Sequence, residues 1–322
     1  YEKAAYYAGI IMGRNPDVSY GTYRLLSFDE LWKKSGFDES EHMFSVRTRS
    51  ADEEYGNGVH QWYCGMQDAG GVLQKGPWVG NRFHWYCLFD NEDYRITKGV
   101  KHRFQYDSQV KNGRGYYYPG TPEYKLMATG KNMDDVKVQE PVAPFNDGLT
   151  YTNSISSNCL AFTTKYADVT DPTIGRTDAY WPFLRYADIV LIYAEAQCEL
   201  NDGISQDAID ALNDIRIRSN AKEASVTGDG AIETKVELRS VIFEERAKEL
   251  AYEGDRRWDL LRWGIYLDVM NSLGGINEDG TRTPYDEGSI NKRREFRHLL
   301  YPLPSLEVST NMAIDKNNPG WN

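Results

Sequence analysis

Three glutamates at four-residue spacing are the residues of this chain best suited to chemistry. Glu245, Glu249 and Glu253 lie on one side of any helix that contains them. Leu238 and Ile242 fall on that same side, which predicts that the carboxylates are buried. A buried carboxylate pair can supply a general acid and a general base, as in glycoside hydrolysis, or it can be held in ion pairs.

The arginines that follow the glutamates favour ion pairing over catalysis. Arg256, Arg257 and Arg262 follow within eight residues of Gly254, and Asp259 lies among them. Charge-assisted hydrogen bonds between carboxylates and guanidinium groups are strong, and carboxylates at helical spacing beside arginines are typical of structural networks. We therefore predict a buried network that joins helices, no catalytic residue and no enzymatic activity, with a glycan-processing hydrolase as the alternative. The residues assigned to this network are Arg185, Glu245, Glu249, Glu253, Arg256, Arg257, Asp259 and Arg262.

Ligand binding is predicted in the aromatic, glycine-containing stretch 50–82, which reads as a long irregular loop. Flat aromatic rings can cover the apolar face of a sugar, while amide and charged groups bond its hydroxyls. The alternative is that the tryptophans only attach the loop to the scaffold. The candidate ligand-binding residues are Gln61, Trp62, Tyr63, Trp78, Asn81 and Arg82.

Composition excludes several other classes of function. The chain has 322 residues and a net charge of −11, which argues against nucleic acid or an anionic membrane surface as the main partner. The five histidines show no metal-binding spacing, and the acidic run 90–93 lacks the spacing and glycine of a calcium loop. We predict no metal and no cofactor. The four cysteines have no C-x-x-C spacing, so they are either paired or buried free thiols.

Hydrophobic periodicity predicts a mostly helical chain with a few short strands. Strand patterns cover 43–48 and 159–166, and 298–304 is expected to enter the core as an extended segment. From Trp181 the pattern changes to helix. Helices joined by short breaks form antiparallel hairpins, which predicts a tetratricopeptide-like scaffold. The predicted helices cover 1–14, 28–35, 184–200, 205–218 and 232–253.

Three blocks in a fixed order make the chain resemble a known family. They are the segments 181–196, 244–264 and 300–304, the last followed by Asn311 and by 318–321. Together they are similar to the C-terminal half of SusD/RagB proteins, strongly over 160–322 and more loosely over 1–100. The looser part includes a strand from Glu41 to Val46 and the segment 93–95.

The resemblance implies a fold, a function and a location. Such proteins are lipid-anchored outer-membrane proteins on the cell surface of Bacteroidota. They bind oligosaccharides or, alternatively, peptides, and deliver them to a SusC-like TonB-dependent transporter. The family scaffold has four tetratricopeptide-like helix pairs, of which this chain holds at most the last two. A helical scaffold that contacts only other proteins is a further alternative.

The resemblance also predicts how the chain is divided. We expect one domain, 1–322, that lacks its N-terminal part, including the family's signal peptide and acylated cysteine. Residues 1–35 are expected to be a remnant helix pair and 36–180 a loop-rich ligand-binding region. Residues 181–322 are expected to be the C-terminal scaffold.

Overall fold

The computed structural model divides into two compact units. The first ends at Glu253, and the second contains the chain from Gly254 onward. The predicted division into 1–35, 36–180 and 181–322 stays a prediction. The residues that the structure describes are 1–15, 18, 22–38, 40–50, 56–68, 73–79, 85, 88–90, 92–101, 103–105, 112–115, 150–152, 162–272 and 294–321.

Helices dominate the described part of the chain, and the predicted mostly helical fold is confirmed. Short 3-10 helices cover Lys34–Asp38 and Phe296–Leu299. Numbered in chain order, the α-helices are α1 Glu2–Ile11, α2 Phe28–Leu31, α3 Val59–Cys64, α4 Tyr94–Thr97, α5 Tyr186–Leu200, α6 Gln206–Arg218, α7 Lys235–Glu249, α8 Arg256–Arg262, α9 Tyr266–Ser272 and α10 Ser305–Thr310.

The strands are short and form small separate sheets. β1 pairs antiparallel with β9, β2 with β3 and β4 with β8, while β5, β6 and β7 form a three-stranded sheet. The strands are β1 His42–Val46, β2 Met66–Gln67, β3 Leu73–Lys75, β4 Val100–Lys101, β5 Arg103–Gln105, β6 Asn112–Gly115, β7 Thr150–Thr152, β8 Phe162–Thr163 and β9 Trp181–Arg185.

The helix predicted at 184–200 corresponds to α5, but the helical pattern was placed too early, from Trp181 onward. Residues 181–185 form β9, in which Val46 pairs with Trp181 and His42 with Arg185. Helix α5 begins only at Tyr186, whose backbone N–H donates to the Glu41 carbonyl oxygen. Pairing with a strand from a distant part of the chain therefore overrides the local helical pattern.

Helices α5 and α6 form the predicted antiparallel hairpin. The Ser205 side chain caps α6 by accepting a hydrogen bond from the N–H of Ala208. Small buried residues such as Ala194 and Ala211 let the helices approach closely, and both are fully buried. Helices α1 and α7 pack on α5. These helices surround the main hydrophobic core of the first unit, which contains Leu191, Leu212 and Ile215.

Helix α7 carries Glu245 and Glu249 and ends at Glu249, so Glu253 lies beyond the helix and the predicted end at residue 253 is wrong. The helix is held at its start by a reciprocal cap. The Thr234 hydroxyl accepts from the N–H of Glu237, and the Glu237 carboxylate accepts from the N–H of Thr234. Leu238 and Ile242 are fully buried, so this side of α7 faces the core as predicted.

The stretch 50–82 contains more regular structure than the sequence indicated. Helix α3 is followed at once by a small hairpin of β2 and β3. Gly65 joins the two with φ of +74°, and a Cβ there would lie 2.5 Å from the Lys75 carbonyl oxygen. Only glycine meets both requirements without strain. A short helix and a small hairpin, joined by a tight turn at Gly65, thus stand where the sequence predicted a long loop, over the described residues of this stretch.

The C-terminal segment of the second unit differs from its prediction. The structure places a 3-10 helix at Phe296–Leu299, followed by extended backbone. Leu300 is 55% exposed and Tyr301 is 60% exposed. The prediction that 298–304 enters the core is therefore wrong, whereas the last helical turn near residue 305 is confirmed as α10.

Hydropathy along the described helices gives one further result. No helix in the described ranges is both long enough and apolar enough to cross a membrane.

Candidate functional site

Arg185 is the centre of a buried ion network in the first unit. Its guanidinium donates to Glu41 Oε1 at 2.7 Å, to Glu249 Oε1 at 3.1 Å and to both oxygens of Glu253 at 2.7 and 2.8 Å. The Arg185 side chain has no exposed surface. Lys165 adds a second cation to Glu253, with Nζ 2.6 Å from Oε1.

Helix α6 supplies two further cations from its last turn. Arg218 Nη2 lies 2.5 Å from Glu249 Oε1, and Nη1 lies 3.3 Å from both oxygens of Glu41. Arg216 Nε donates to Glu245 Oε2 at 2.8 Å. The helix hairpin is thereby attached to the carboxylate side of α7.

The segment at the start of α4 completes the network. The Arg95 guanidinium bonds the Asp93 carboxylate, with Nη2 2.7 Å from Oδ2, and it also donates to Glu245. The resulting network balances five carboxylates, Glu41, Asp93, Glu245, Glu249 and Glu253, against five cations, Arg95, Lys165, Arg185, Arg216 and Arg218.

The predicted partners of the three glutamates were wrong. The structure pairs these carboxylates with Arg95, Lys165, Arg185, Arg216 and Arg218, instead of with Arg256, Arg257 and Arg262. Tyr252 and Gly254 have φ of +69° and +102°, so the helical run ends before α8 begins. The glutamate side of α7 therefore does not continue into α8.

The downstream arginines have the following contacts in the second unit. Arg257 donates to the Tyr266 hydroxyl at 2.6 Å and to the His298 carbonyl oxygen at 2.9 Å. Arg262 forms an ion pair with Asp259 at 2.9 Å. The Arg256 guanidinium lies 5.7 Å from the centre of the Trp263 ring.

Electrostatics explain why Glu245, Glu249 and Glu253 stay charged. Burial by itself raises the pKa of Glu245, Glu249 and Glu253, but the surrounding cations outweigh burial and hold each pKa below its ordinary value. A general acid in glycoside hydrolysis needs a raised pKa instead. The arrangement pairs charges with one another and joins helices, and the lowered pKa values of these three carboxylates are the opposite of what a carboxylic general acid requires.

Two exposed tryptophans form the clearest surface feature among the predicted ligand residues. Trp62 on α3 is 45% exposed and Trp78 after β3 is 75% exposed. The backbone N–H groups of Trp78 and Val79 both donate to the Trp62 carbonyl oxygen at 2.9 Å, which keeps the two residues adjacent. We call Trp62 and Trp78 the tryptophan platform.

Gly58 sets how the Trp62 side chain lies. A Cβ on Gly58 would come within 3.0 to 3.2 Å of three atoms of the Trp62 indole. The indole therefore packs directly on the Gly58 backbone, one turn earlier in the chain.

The neighbours of Trp62 on α3 point elsewhere. Tyr63 contacts the rings of Tyr166, Trp181 and Tyr252, with ring centres 5.3 to 6.0 Å apart. Gln61 packs near Gly175, where a Cβ would meet its side-chain oxygen at 2.7 Å. The structure thus separates Tyr63 and Gln61 from the platform, and Asn81 and Arg82 lie outside the described residues.

The buried polar side chains of α3 bond to backbone carbonyl groups, although His60 Nε2 has no hydrogen-bond partner within the described ranges. His60 is 1% exposed, and its Nδ1 lies 2.8 Å from the Tyr166 carbonyl oxygen. Burial lowers the pKa of His60 and raises that of the Cys64 thiol to about 12. Cys64 and Cys198 are both buried free thiols. Within the described ranges, no group of three or more His, Cys, Asp or Glu side chains is arranged to hold a metal ion.

Comparison with known proteins adds the following findings. The model of the SusD family matches residues 67–321. A solved SusD homolog from Bacteroides thetaiotaomicron VPI-5482 aligns with 99% of this chain and 59% of its own chain, at 20% identity and a TM-score of 0.65. A solved laminarin-binding SusD-like protein aligns with 99% of this chain and 59% of its own, at 19% identity and a TM-score of 0.57.

Two further proteins are similar to this chain, and one of them was solved with a bound glycan. Surface glycan-binding protein A from Bacteroides thetaiotaomicron, solved with laminarihexaose, aligns with 93% of this chain and 56% of its own, at 20% identity and a TM-score of 0.55. SusD-like protein P2 of Formosa agariphila is 33% identical over 142 residues, which is 43% of this chain and 25% of that protein. The chain thus spans under two thirds of these relatives.

Proposed function

Because this chain belongs to the SusD family, we propose that it is a non-catalytic glycan-binding protein. The observation that carries the proposal is the tryptophan platform, where two exposed tryptophans are held next to each other by backbone hydrogen bonds. Aromatic faces of this kind are suited to the apolar face of a sugar ring. Solved proteins with this fold bind laminarin and laminarihexaose, which supports a neutral oligosaccharide as the ligand.

The buried network supports binding over catalysis. Its charges are balanced, and the surrounding cations lower the pKa values of Glu245, Glu249 and Glu253. Hydrolysis of a glycosidic bond requires one carboxyl group that stays protonated near neutral pH. We assign the network a structural role, and the same role to Arg256, Arg257, Asp259 and Arg262 in the second unit.

We further propose that the bound oligosaccharide is passed to a SusC-like TonB-dependent transporter in the outer membrane. Family membership supports this step, as it supports a cell-surface location through a lipid anchor. Net charge is consistent with a neutral ligand, since a chain of −11 repels polyanions such as acidic polysaccharides.

Calorimetry with laminarihexaose tests the proposed platform. Trp62→Ala and Trp78→Ala are each expected to weaken binding by about fivefold or more, because stacking on one aromatic ring contributes on the order of 1 kcal/mol or more. Trp258→Ala is the matched control, since Trp258 is 59% exposed but lies in the second unit. Equal affinity of all three variants and the unchanged protein would remove the platform from the site.

A second variant changes the platform without removing a ring. Gly58→Ala places a methyl group against the Trp62 indole, while Gly58 has φ of −89°, which alanine tolerates. The ring must shift, so laminarihexaose affinity should fall although both tryptophans remain.

A separate measurement tests for hydrolysis. Incubation of the unchanged protein with laminarin should release no reducing ends, and release by the purified protein would favour the hydrolase alternative.

A further inference from the structure

A separate cleft in the first unit shares no residue with the tryptophan platform. It has a volume of about 310 Å³ and lies between α2, the segment after α4 and the segment after β8. That volume is at the lower end of the range for small-molecule sites, about 300–1,000 Å³. The cleft therefore has room for a small ligand.

Aromatic side chains and charged groups line the cleft together. Phe28 and Trp32 contribute rings that are 8% and 7% exposed. Lys33, Lys98 and Thr164 bring donors and acceptors to the same space. Apolar surface beside convergent polar groups is the usual composition of a small-molecule site.

The charges in this cleft are balanced and interleaved. Two lysines, Lys33 and Lys98, face two carboxylates, Asp29 and Asp168. Lys98 Nζ donates to both oxygens of Asp29 at 2.9 and 2.8 Å, so one cation and one anion already neutralise each other. The charges are therefore not sorted into a positive end and a negative end, as a zwitterionic ligand would require.

Hydrogen-bonding capacity remains on several of these groups. Asp168 Oδ2 accepts from the Lys34 backbone N–H at 2.7 Å, and a carboxylate has further lone pairs to offer. The Thr164 hydroxyl donates to the Lys98 carbonyl oxygen at 3.0 Å and can still accept. A ligand whose groups both donate and accept, such as a hydroxyl, matches this mixture.

We propose that the cleft lined by Trp32, Lys33, Lys98 and Asp168 is a second binding site for a neutral sugar unit. The choice of a sugar rests on the proposed function, whereas the site itself is independent of the platform. Two such sites on one chain would let it hold a branched glycan, or two chains of a polysaccharide, at once. Linked sites of this kind raise overall avidity without any new contact.

The test uses laminaribiose, a neutral disaccharide, as the ligand. Glycylglycine, a zwitterion, serves as the comparison ligand. The Trp32 indole N–H has no hydrogen-bond partner within the described ranges, so its NMR signal is a sensitive local reporter. Trp32→Phe assigns that signal. Laminaribiose is expected to shift it in the unchanged protein and in the Trp62→Ala/Trp78→Ala double variant.

A cleft-filling variant provides the matched comparison. Ala167 is exposed and lines the cleft, so Ala167→Trp should occupy it and weaken laminaribiose binding there by about tenfold or more. Ala313→Trp makes the same change at an exposed position of the second unit and should leave the binding unchanged.

Each outcome separates this proposal from the proposed function. Loss of the shift in Ala167→Trp, together with its persistence in the double variant, supports the cleft. An unaffected shift in Ala167→Trp, no shift at all, or a shift only with glycylglycine overturns the second site. Platform binding of laminarihexaose can survive any of those results, because it is measured with Trp62→Ala and Trp78→Ala.

Discussion

At the scale of single residues, Arg185 shows how a buried charge can be tolerated. Every guanidinium nitrogen has an acceptor, and the carboxylates it meets receive further bonds from Lys165 and Arg218. Removal of one member of such a group leaves the others buried and uncompensated, which costs more than the pair contributes. Arg185 is therefore expected to act on stability, not on ligand affinity.

The first prediction follows from that argument. Arg185→Met should lower the free energy of unfolding by about 3–5 kcal/mol, measured by urea denaturation at neutral pH. Arg239→Met is the control, because Arg239 is 35% exposed in its pair with Glu199, and a solvent-accessible pair contributes at most about 1 kcal/mol. Similar losses in the two variants would contradict the structural role of the network.

At the scale of elements, the turn between α3 and β2 positions the platform. Gly65 allows the chain to reverse directly after α3, so that the hairpin returns Trp78 to the Trp62 carbonyl oxygen. The sequence showed the glycines of this stretch but not which one carries a positive φ. That choice depends on the close approach of the Lys75 carbonyl oxygen.

The second prediction concerns that turn. Gly65→Ala should lower stability by more than about 1 kcal/mol and weaken laminarihexaose binding, because alanine is strained at this φ and clashes with the Lys75 backbone. Thermal unfolding and calorimetry measure the two effects. Gly203→Ala is the control, since a Cβ at Gly203 has nothing within 4 Å. A stable Gly65→Ala protein with full affinity would show that the turn is not needed.

At the scale of the whole molecule, the titrating groups with lowered pKa values are concentrated in the first unit. Burial lowers the pKa of His42 to about 4, and its Nδ1 has no hydrogen-bond partner within the described ranges. Between pH 6.5 and about 4 the unfolded chain thus binds a proton that the folded chain does not. Stability from His42 is present above pH 6.5 and is lost as the pH falls through this window.

The network carboxylates extend the same trend to lower pH. The pKa values of Glu245, Glu249 and Glu253 are lowered by cations, so their contribution is present above the unfolded pKa of 4.5 and is lost below it. As the pH falls, the stability contributed by His42 is therefore lost first, and the stability contributed by the three glutamates is lost at lower pH.

The third prediction is a change in that first part of the profile. His42→Gln should make the fall in unfolding free energy between pH 6.5 and 4.5 shallower, because one of the two buried histidines with a lowered pKa is gone while His60 remains, and the steep fall below pH 4.5 should persist. Urea denaturation across this range measures it. A slope in His42→Gln equal to that of the unchanged protein would mean that His42 is not buried in its neutral form.

Much of the helical scaffold could be predicted because its signals are local. The buried face of α7 follows from the spacing of apolar residues within that helix. The Ser205 cap and the hairpin of α5 and α6 follow from the short break between two adjacent helical patterns. The predictions failed where distant chain segments compete with local pattern, as where β1 turns 181–185 into a strand. They also failed for 298–304, whose apolar residues remain exposed.

The candidate site divides along the same line. Sequence alone determined that Glu245 and Glu249 lie on the core side of a helix and that all three glutamates need cationic partners, because periodicity and the cost of burying charge are local facts. Only the tertiary structure decided which cations they meet, since Arg95 and Glu245 are 150 positions apart. It also decided that Trp62 faces outward and Tyr63 inward, because the packing of α3 against Tyr166 and Trp181 selects the buried side.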